Sequence, residues 1–348
     1  MSQNKTTAAP GMIRITPGEM EKQFYEILLQ QGLQESKAGT CAKVFTENSI
    51  DGVYTHGVNR FPRFVQYLKD KHVIADAEPI LKSTFGAVQQ WDGQAGPGIL
   101  NALFCTEKAM DLARNNGIGC VALAQTNHWM RGGTYGWKAA KEGFAFICWT
   151  NTIANMPAFG AKDIRLGNNP LIIAVPFEGE AIILDMAMSQ FSFGKIELMK
   201  MQGEPLPVAG GYDTSGAPST DPAAITESGL LLPAGYWKGA GLSLLLDMLA
   251  AILSGGLATT HIGKGAAETN VSQVFIAIDL SKLGNASAIS QTLQTIIDDY
   301  KSSTPVADNA AIRYPGEGVV KTRRENLEKG IPVNEHVWKE ILMLDRSV

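Results

Sequence analysis

The spacing of apolar positions changes after about residue 70. Up to that point they recur every three or four residues, which predicts helices at about 17–31, 36–48 and 61–69. Thr16 supplies an N-cap for the first helix, Pro17 suits its first turn, and Glu19 completes a capping box. The first seventy residues are therefore predicted to be mostly helical.

Beyond residue 80, short apolar runs of strand length alternate with helical patterns, which indicates an α/β fold. Glu178-Gly179 separates two of these runs and favours a hairpin, so antiparallel pairing is expected and a doubly wound parallel sheet is not required. Strands are predicted at 88–91, 119–124, 144–149, 171–175, 181–184 and 274–278, and helices at 98–116, 135–142, 196–201, 240–254, 288–301 and after 335. Residues 203–223, rich in Gly, Pro, Asp and Ser, are predicted to form a long loop.

Composition narrows the class of protein. The chain has 348 residues, is 45% hydrophobic and 18% charged, and carries a net charge of −4, which is typical of a soluble globular protein. No basic block appears, so a nucleic-acid partner is not expected. Four widely separated cysteines form no metal-ligand pattern, so neither zinc nor another metal is expected.

Two segments bear on localisation. Residues 1–11 lack an apolar stretch and are predicted to be a disordered lead-in rather than a signal peptide. The longest apolar run, 240–253, contains Ser243 and Asp247 and is too short for a bilayer, so it is predicted to be buried or to lie at a subunit interface. We expect a cytoplasmic protein without a membrane partner.

The common nucleotide-binding and hydrolase motifs are missing. The sequence has no G-x-G-x-x-G after a strand, no G-x-x-x-x-G-K-[ST], no G-x-S-x-G and no H-E-x-x-H. A dinucleotide, if one binds, must therefore be held without the Rossmann arrangement.

Residues 51–64 form the most suggestive segment. His56 can change its charge near neutral pH, and Arg60 offers a planar donor pair for a carboxylate. A proton donor beside a carboxylate clamp suits an enzyme acting on keto or hydroxy acids. A solvated loop with a surface histidine explains the same residues equally well.

Five further clusters combine glycine with polar residues, and each has a plain structural alternative as a turn or helix cap. Asp185 follows an apolar strand, where a carboxylate could pair with a catalytic histidine. Lys238 precedes the apolar helix, whose free N–H groups would suit a phosphate. The clusters are 126–133, 165–170, 184–189, 235–241 and 313–318.

In this order, the motifs resemble the malate/L-lactate dehydrogenase family, which lacks a Rossmann fold. The resemblance covers residues 12–344. It is carried by His56-Gly-Val-Asn-Arg60, Asn127-His-Trp-Met-Arg-Gly-Gly133, Gly167-Asn-Asn-Pro170, Leu184-Asp-Met186, Tyr236-Trp-Lys-Gly239 and Arg313-Tyr-Pro-Gly316. Two departures are modest: Thr55 stands where a serine is usual, and Glu317-Gly318 differs from the expected Gly-His-Glu.

The resemblance implies a cofactor domain around a large, mainly antiparallel or mixed sheet, together with a helical domain. Residues 12–80 and 302–348 would form the helical domain, and 81–301 the NAD(P)-binding sheet domain. It further implies a homodimer that uses NADH, with NADPH as the alternative cofactor, to reduce a 2-keto sugar acid.

It also implies roles for individual residues. By the resemblance His56 would donate the proton. We further expect Asp185 to orient His56 and Arg60 to bind the substrate carboxylate, with His128 and Arg131 holding sugar hydroxyls or the carboxylate instead. The cofactor would be held by Ala181, Ile182, Ile183, Leu184, Asp185, Met186, Ala187, Trp237, Lys238, Gly316, Glu317 and Gly318.

Two alternatives stay open. The substrate could be that of another family member: malate, lactate, sulfolactate, ureidoglycolate or a cyclic imine. A non-catalytic sugar-acid binding protein on the same fold is the alternative from a different class.

Overall fold

A seven-stranded mixed sheet lies at the centre of the computed structural model, which describes residues 11–262, 267–307 and 310–345. The strands are β1 (Met12–Ile15), β2 (Ile80–Phe85), β3 (Val88–Asp92), β4 (Ile118–Thr126), β5 (Phe144–Thr150), β6 (Ala154–Pro157), β7 (Ile164–Gly167), β8 (Leu171–Phe177), β9 (Glu180–Met186), β10 (Gly211–Tyr212), β11 (Pro218–Ser219), β12 (Val271–Asp279) and β13 (Ile331–Asn334). The α-helices are α1 (Pro17–Gln30), α2 (Glu35–Ile50), α3 (Phe61–Lys69), α4 (Gly98–Asn116), α5 (Gly133–Lys141), α6 (Phe193–Gln202), α7 (Pro222–Ser228), α8 (Trp237–Ser254), α9 (Ile289–Lys301), α10 (Glu317–Lys329) and α11 (Glu335–Leu344).

The large sheet is mainly antiparallel. Its strand order is β2-β3-β4-β12-β5-β8-β9, and β3 with β4 is its parallel pair. The predicted hairpin is β8–β9, where Glu178 (φ 49°) and Gly179 (φ 75°) both take the positive φ that a tight two-residue turn requires. The expected α/β fold with a mixed, non-Rossmann sheet is confirmed.

The helical part is held by one hydrophobic core that joins both ends of the chain. Phe24, Phe45 and Phe61 are fully buried, and the rings of Phe24 and Phe61 stack with centroids 4.0 Å apart. Trp338 and Ile341 of α11 enter the same core, and β1 pairs antiparallel with β13. This packing is compatible with the expected helical domain, whose boundaries at 80 and 302 stay a prediction.

Local signals located most elements, with some omissions. Thr16 caps α1 by accepting the Glu19 N–H at 3.2 Å, as predicted. The predicted lead-in lies outside the described residues except for Gly11. Helix α10 follows the predicted 313–318 loop and was not predicted, because it is largely charged and Asn326 is its one buried residue. The predicted loop 203–223 contains the short β10–β11 hairpin and the start of α7.

Helix α8 packs one face on the sheet and leaves an apolar face exposed. Its buried face contains Leu246 and Ala250, as well as Asp247, whose carboxylate accepts the Asn151 side-chain amide at 2.9 Å. The exposed face comprises Trp237, Leu242, Leu244, Leu245, Met248, Leu249 and Ile252. By length and composition α8 is the one described helix that could cross a membrane, although buried helices of soluble proteins pass the same test.

Candidate active site

A cavity of about 910 Å³ lies between the helical part and the edge of the large sheet. Its walls come from the turn before α3, the loop between β4 and α5, strand β9, and the start of α6. The residues singled out from the sequence that line it are His56, Arg60, His128, Arg131, Ile183, Asp185, Ala187 and Gly316. Eight predicted residues from four distant segments therefore meet at one cavity.

His56 ends a short 3₁₀ turn that is fastened to α2. Its carbonyl accepts the Asn48 side-chain amide at 3.0 Å, and Ser49 Oγ accepts the Val58 N–H at 2.8 Å. Gly57 is needed between them, because a Cβ there would lie 2.2 Å from Ser49 Oγ. The backbone of His56 is thus fixed, and its Nδ1 lies 3.2 Å from Thr55 Oγ1.

His128 faces His56 across the cavity. The two rings are nearly parallel, with an interplanar angle of 8° and centroids 5.7 Å apart. His128 Nδ1 accepts the Met130 N–H at 3.0 Å, so the neutral ring carries its proton on Nε2 and can donate from there. The loop is held by Asn127, whose side-chain amide donates to the carbonyls of His72, Ala95 and Gly96.

Their surroundings favour the neutral form of both histidines. Burial, helped by the nearby positive charges of Arg60 and Arg131, lowers the pKa of His56 to about 4. Burial also lowers the pKa of His128 well below its ordinary value, and Arg60 adds to this effect. The role of His56 as proton donor stays a prediction, because the lowered pKa describes only the ligand-free protein.

Arg60 lies beside an acid that was not predicted. Its Nη2 is 3.8 Å from Oε2 of Glu268, too long for a direct hydrogen bond. Arg63, one turn further along α3, also lines the cavity. The wall near α3 therefore carries two guanidinium groups and one carboxylate.

Arg131 belongs to a buried ionic network. It is 5% exposed and donates from Nη1 to Oδ2 of Asp51. Arg323 of α10 binds the same carboxylate with two hydrogen bonds, at 2.6 and 3.0 Å, and lies 3.2 Å from Glu180. The Trp137 ring packs against the Arg323 guanidinium, 4.3 Å from its centroid. Nη1 of Arg131 is therefore occupied by a contact within the protein.

Asp185 contacts the loop before α5. Its Oδ2 accepts the Gly133 N–H at 2.8 Å, at the positive end of α5, and lies 3.9 Å from Arg131 Nε. Gly133 allows this approach, because a Cβ there would lie 2.8 Å from that oxygen. No described hydrogen bond joins Asp185 to His56, so these contacts give Asp185 the role of positioning the loop.

Strand β9 presents alternate residues to the cavity. Ile183, Asp185 and the following Ala187 line it, as the two-residue period of a strand requires. Ile182, Leu184 and Met186 point to the other face, and Ala181 is buried in the core of the sheet. Trp237 and Lys238, at the start of α8, lie outside the lining of this cavity, and Trp237 is 65% exposed.

A recess of about 560 Å³ adjoins the cavity at Gly316 and Val319. Gly318 lines this recess in the first turn of α10, where backbone N–H groups lack helical partners and suit an anionic group. Glu317 turns away and forms an ion pair with Lys301. The cavity is at the upper end of the roughly 300–1,000 Å³ of ligand sites, so with the recess it has room for a dinucleotide beside a small acid.

Sequence reasoning missed several residues of the site. Glu268, Thr152 and Asn155 line the cavity, and Asn48 and Ser49 hold the His56 turn, whereas Asn168, which also lines the cavity, belongs to the predicted cluster 165–170. The first three have no recognisable spacing: Thr152 and Glu268 stand in irregular segments, and Asn155 lies in the short strand β6. The pair in α2 interrupts an otherwise apolar face, and that interruption was the one local signal.

A histidine facing a second histidine and flanked by arginines, in a cavity large enough for a cofactor, is suited to an oxidoreductase acting on an acid. The family model described as malate/L-lactate dehydrogenase matches residues 15–342. The chain belongs to this family of hydroxy-acid oxidoreductases, and membership implies a nicotinamide cofactor.

The similarity to known relatives extends over nearly the whole chain. A 2,3-diketo-L-gulonate reductase of Salmonella typhimurium (strain LT2) is 43% identical over 333 residues, which cover 95% of this chain and 100% of the relative. The sulfolactate dehydrogenase from Methanocaldococcus jannaschii has a TM-score of 0.89 and 28% identity, covering 96% of this chain and 97% of its own. Malate dehydrogenase from Pyrococcus horikoshii OT3 has a TM-score of 0.89 and 26% identity, covering 98% and 97%.

The ionic network around Asp51 leads to a prediction about stability. Asp51→Asn should lower the free energy of unfolding by about 3–5 kcal/mol, because it leaves the buried Arg131 charge without its partner. Urea denaturation followed by circular dichroism measures the change. The control is Arg114→Met, which removes exposed ion pairs to Asp111 and Glu142 and should cost no more than about 1 kcal/mol. Equal, small losses in both variants would contradict the prediction.

Proposed function

We propose that this protein reduces 2,3-diketo-L-gulonate to 3-dehydro-L-gulonate with NADH. The proposal is carried by one observation: His56, Arg60 and strand β9 line the same cavity. His56 can donate a proton, Arg60 can bind the substrate carboxylate, and the cavity leaves room for the cofactor. The name of the relative at 43% identity supports this choice of substrate.

When bound, NADH would supply the hydride that reduces C2 of the substrate. His56 delivers a proton to the oxygen on C2 as negative charge develops there, and takes it back in the reverse reaction. Arg60 binds the substrate carboxylate through its planar donors. His128 donates from Nε2 to a substrate oxygen, because its Nδ1 is occupied by the Met130 N–H.

In the proposed reaction, the bound substrate favours the protonated form of His56. Arg60 and Arg131 help to keep His56 neutral in the ligand-free protein. A substrate carboxylate bound at Arg60 offsets part of that positive charge, so the pKa of His56 rises in the complex. Binding of the acid and uptake of the proton are thereby coupled.

The cofactor site is assigned to β9, Gly316 and Gly318. Ile183 and Ala187 would pack against the cofactor, and the N–H groups at the start of α10 would face its phosphates. No Lys or Arg stands among the described residues that line the recess, so the extra phosphate of NADPH lacks a counter-charge there. This supports NADH.

The proposed reaction has competitors in the same family. Malate, lactate, sulfolactate, ureidoglycolate and a cyclic imine are the alternative substrates. Following absorbance at 340 nm with NADH and then NADPH, over a panel of 2-keto acids, separates them. Oxidation of neither cofactor with any acid would favour a non-catalytic binding protein.

We predict that His56→Ala lowers kcat by about 10²- to 10⁴-fold, the usual contribution of a positioned general acid. The chain offers a matched control: Thr260 Oγ1 lies 3.0 Å from His261 Nδ1 at the exposed surface, so His261→Ala removes a similar pair. It should keep wild-type turnover. A folded His56→Ala protein with turnover near wild type would remove His56 from the mechanism.

The depressed pKa of His56 sets the pH dependence. In the free enzyme the imidazolium fraction falls about tenfold per pH unit above pH 4, so kcat/KM for reduction should fall about 100-fold between pH 5 and 7. The pKa seen in kcat should be higher, because the bound carboxylate stabilises the imidazolium. Steady-state rates from pH 5 to 8 measure both. A kcat/KM that stays flat up to pH 7 would contradict the assignment.

We also propose that the protein is a cytoplasmic homodimer that covers α8 with a second copy. Leu245 and Ile252 are 56% and 68% exposed on the apolar face of α8, while the opposite face buries Asp247 against the sheet. A helix fixed to a soluble core in this way cannot span a bilayer without breaking that packing. Apolar faces of this kind mark contacts between proteins.

The wild-type protein should elute without detergent at twice the 37.4 kDa of one chain, and the double variant Leu245→Glu, Ile252→Glu should shift it towards the monomer. Light scattering after size exclusion measures the mass. Met343→Glu changes an exposed apolar residue of α11 and should leave the dimer intact. A monomeric wild type, or a need for detergent, would overturn the proposal.

A further inference from the structure

Glu268 is an acid that the proposed reaction does not use. It follows α8 and precedes β12, and its side chain is 14% exposed. Oε1 accepts the Ile153 N–H at 3.2 Å, and Oε2 lies 3.8 Å from Arg60 Nη2. The first contact fixes the carboxylate, while the second is long enough to leave Oε2 free to accept a hydrogen bond from a ligand.

The wall beside Glu268 is polar but uncharged. Thr152 Oγ1 and Asn155 Nδ2 both donate to Asn168 Oδ1, each at 3.1 Å. Asn155 Oδ1 is buried and has no hydrogen-bond partner. A buried acceptor without a donor is costly, and a ligand hydroxyl would satisfy it.

The charges of Arg60, Arg63 and Glu268 discriminate between kinds of acid. The guanidinium groups of Arg60 and Arg63 attract one carboxylate. A second carboxylate on the same substrate would lie near Glu268, and like charges in a partly buried site repel strongly. A hydroxylated tail instead offers donors to Glu268 Oε2 and Asn155 Oδ1, and hydrogen bonds to an ionised acceptor are strong.

We propose that Glu268, with Asn155, is a specificity-determining residue that selects keto acids with one carboxylate and a hydroxylated tail and rejects dicarboxylates. The inference rests on the proposed function, because it concerns the substrate of the same site. The inference adds Glu268 to the substrate-binding residues of the proposed function. Arg60 binds the carboxylate of the substrate, and Glu268 selects the group at its other end.

The test is Glu268→Gln, which keeps an oxygen for the Ile153 N–H and removes the charge. We compare kcat/KM for 2,3-diketo-L-gulonate and for oxaloacetate, with NADH, in wild type and variant. The ratio should move towards oxaloacetate by about 10- to 100-fold, the range of a lost charged hydrogen bond, and mainly through KM. An unchanged ratio in an active variant would overturn the inference.

Glu197→Gln is the matched control. Glu197 also lines the cavity, but it is exposed in α6 and makes no described ion pair. Removing its charge should leave the ratio within about twofold, as for other exposed charges. An equal shift in both variants would indicate the general field of the cavity and would contradict a specific role for Glu268.

Failure of the proposed function is recognised separately. If none of the keto acids supports NADH oxidation by the wild type, the inference can still be tested. Thermal denaturation with L-gulonate and with L-malate then measures which acid binds. Preferential stabilisation by L-gulonate in the wild type, reduced or reversed in Glu268→Gln, would support the inference although the reaction is wrong. The same preference in both proteins would overturn it.

Discussion

The buried carboxylate of Asp51 is the point on which the site depends. It binds Arg131 from the loop after β4 and, with two hydrogen bonds, Arg323 from α10. These residues are 80 and 272 positions away from Asp51, so one carboxylate ties the end of α2 to two distant segments that bear cavity residues. Charges in such surroundings interact strongly, and loss of one leaves the others uncompensated.

The fixed positions of these charges also affect the protonation of His56. The turn is fastened to α2 by Asn48 and Ser49, which holds the backbone of His56 near Arg60 and Arg131. Nearby cations favour the neutral form of a histidine, so burial beside them disfavours the imidazolium that an acid catalyst needs. In the proposed mechanism a bound substrate carboxylate offsets these charges, and proton donation by His56 would therefore depend on the substrate.

The sequence allowed the local elements to be predicted, because capping at Thr16 and the turn at Glu178-Gly179 are decided by neighbouring residues. The cavity residues on β9 could be predicted from the resemblance and the two-residue period of a strand alone. Glu268 could not be predicted, because its meaning depends on Arg60, 208 positions earlier in the chain. Helix α10 was missed for a related reason: its burial is slight, so no apolar period marks it.

The proposed cofactor site is assembled differently from a Rossmann site. There a glycine-rich turn joins a strand to the helix that binds the phosphates, within one short segment. Here β9 is an edge strand, and the Ile183 N–H donates to Pro315 O at 3.1 Å, just before α10 begins. Strand and helix are about 130 residues apart in sequence yet hydrogen-bonded directly. Because no short loop enforces their relation, Arg323, which anchors α10 to Asp51 and to Glu180 of β9, has to maintain it.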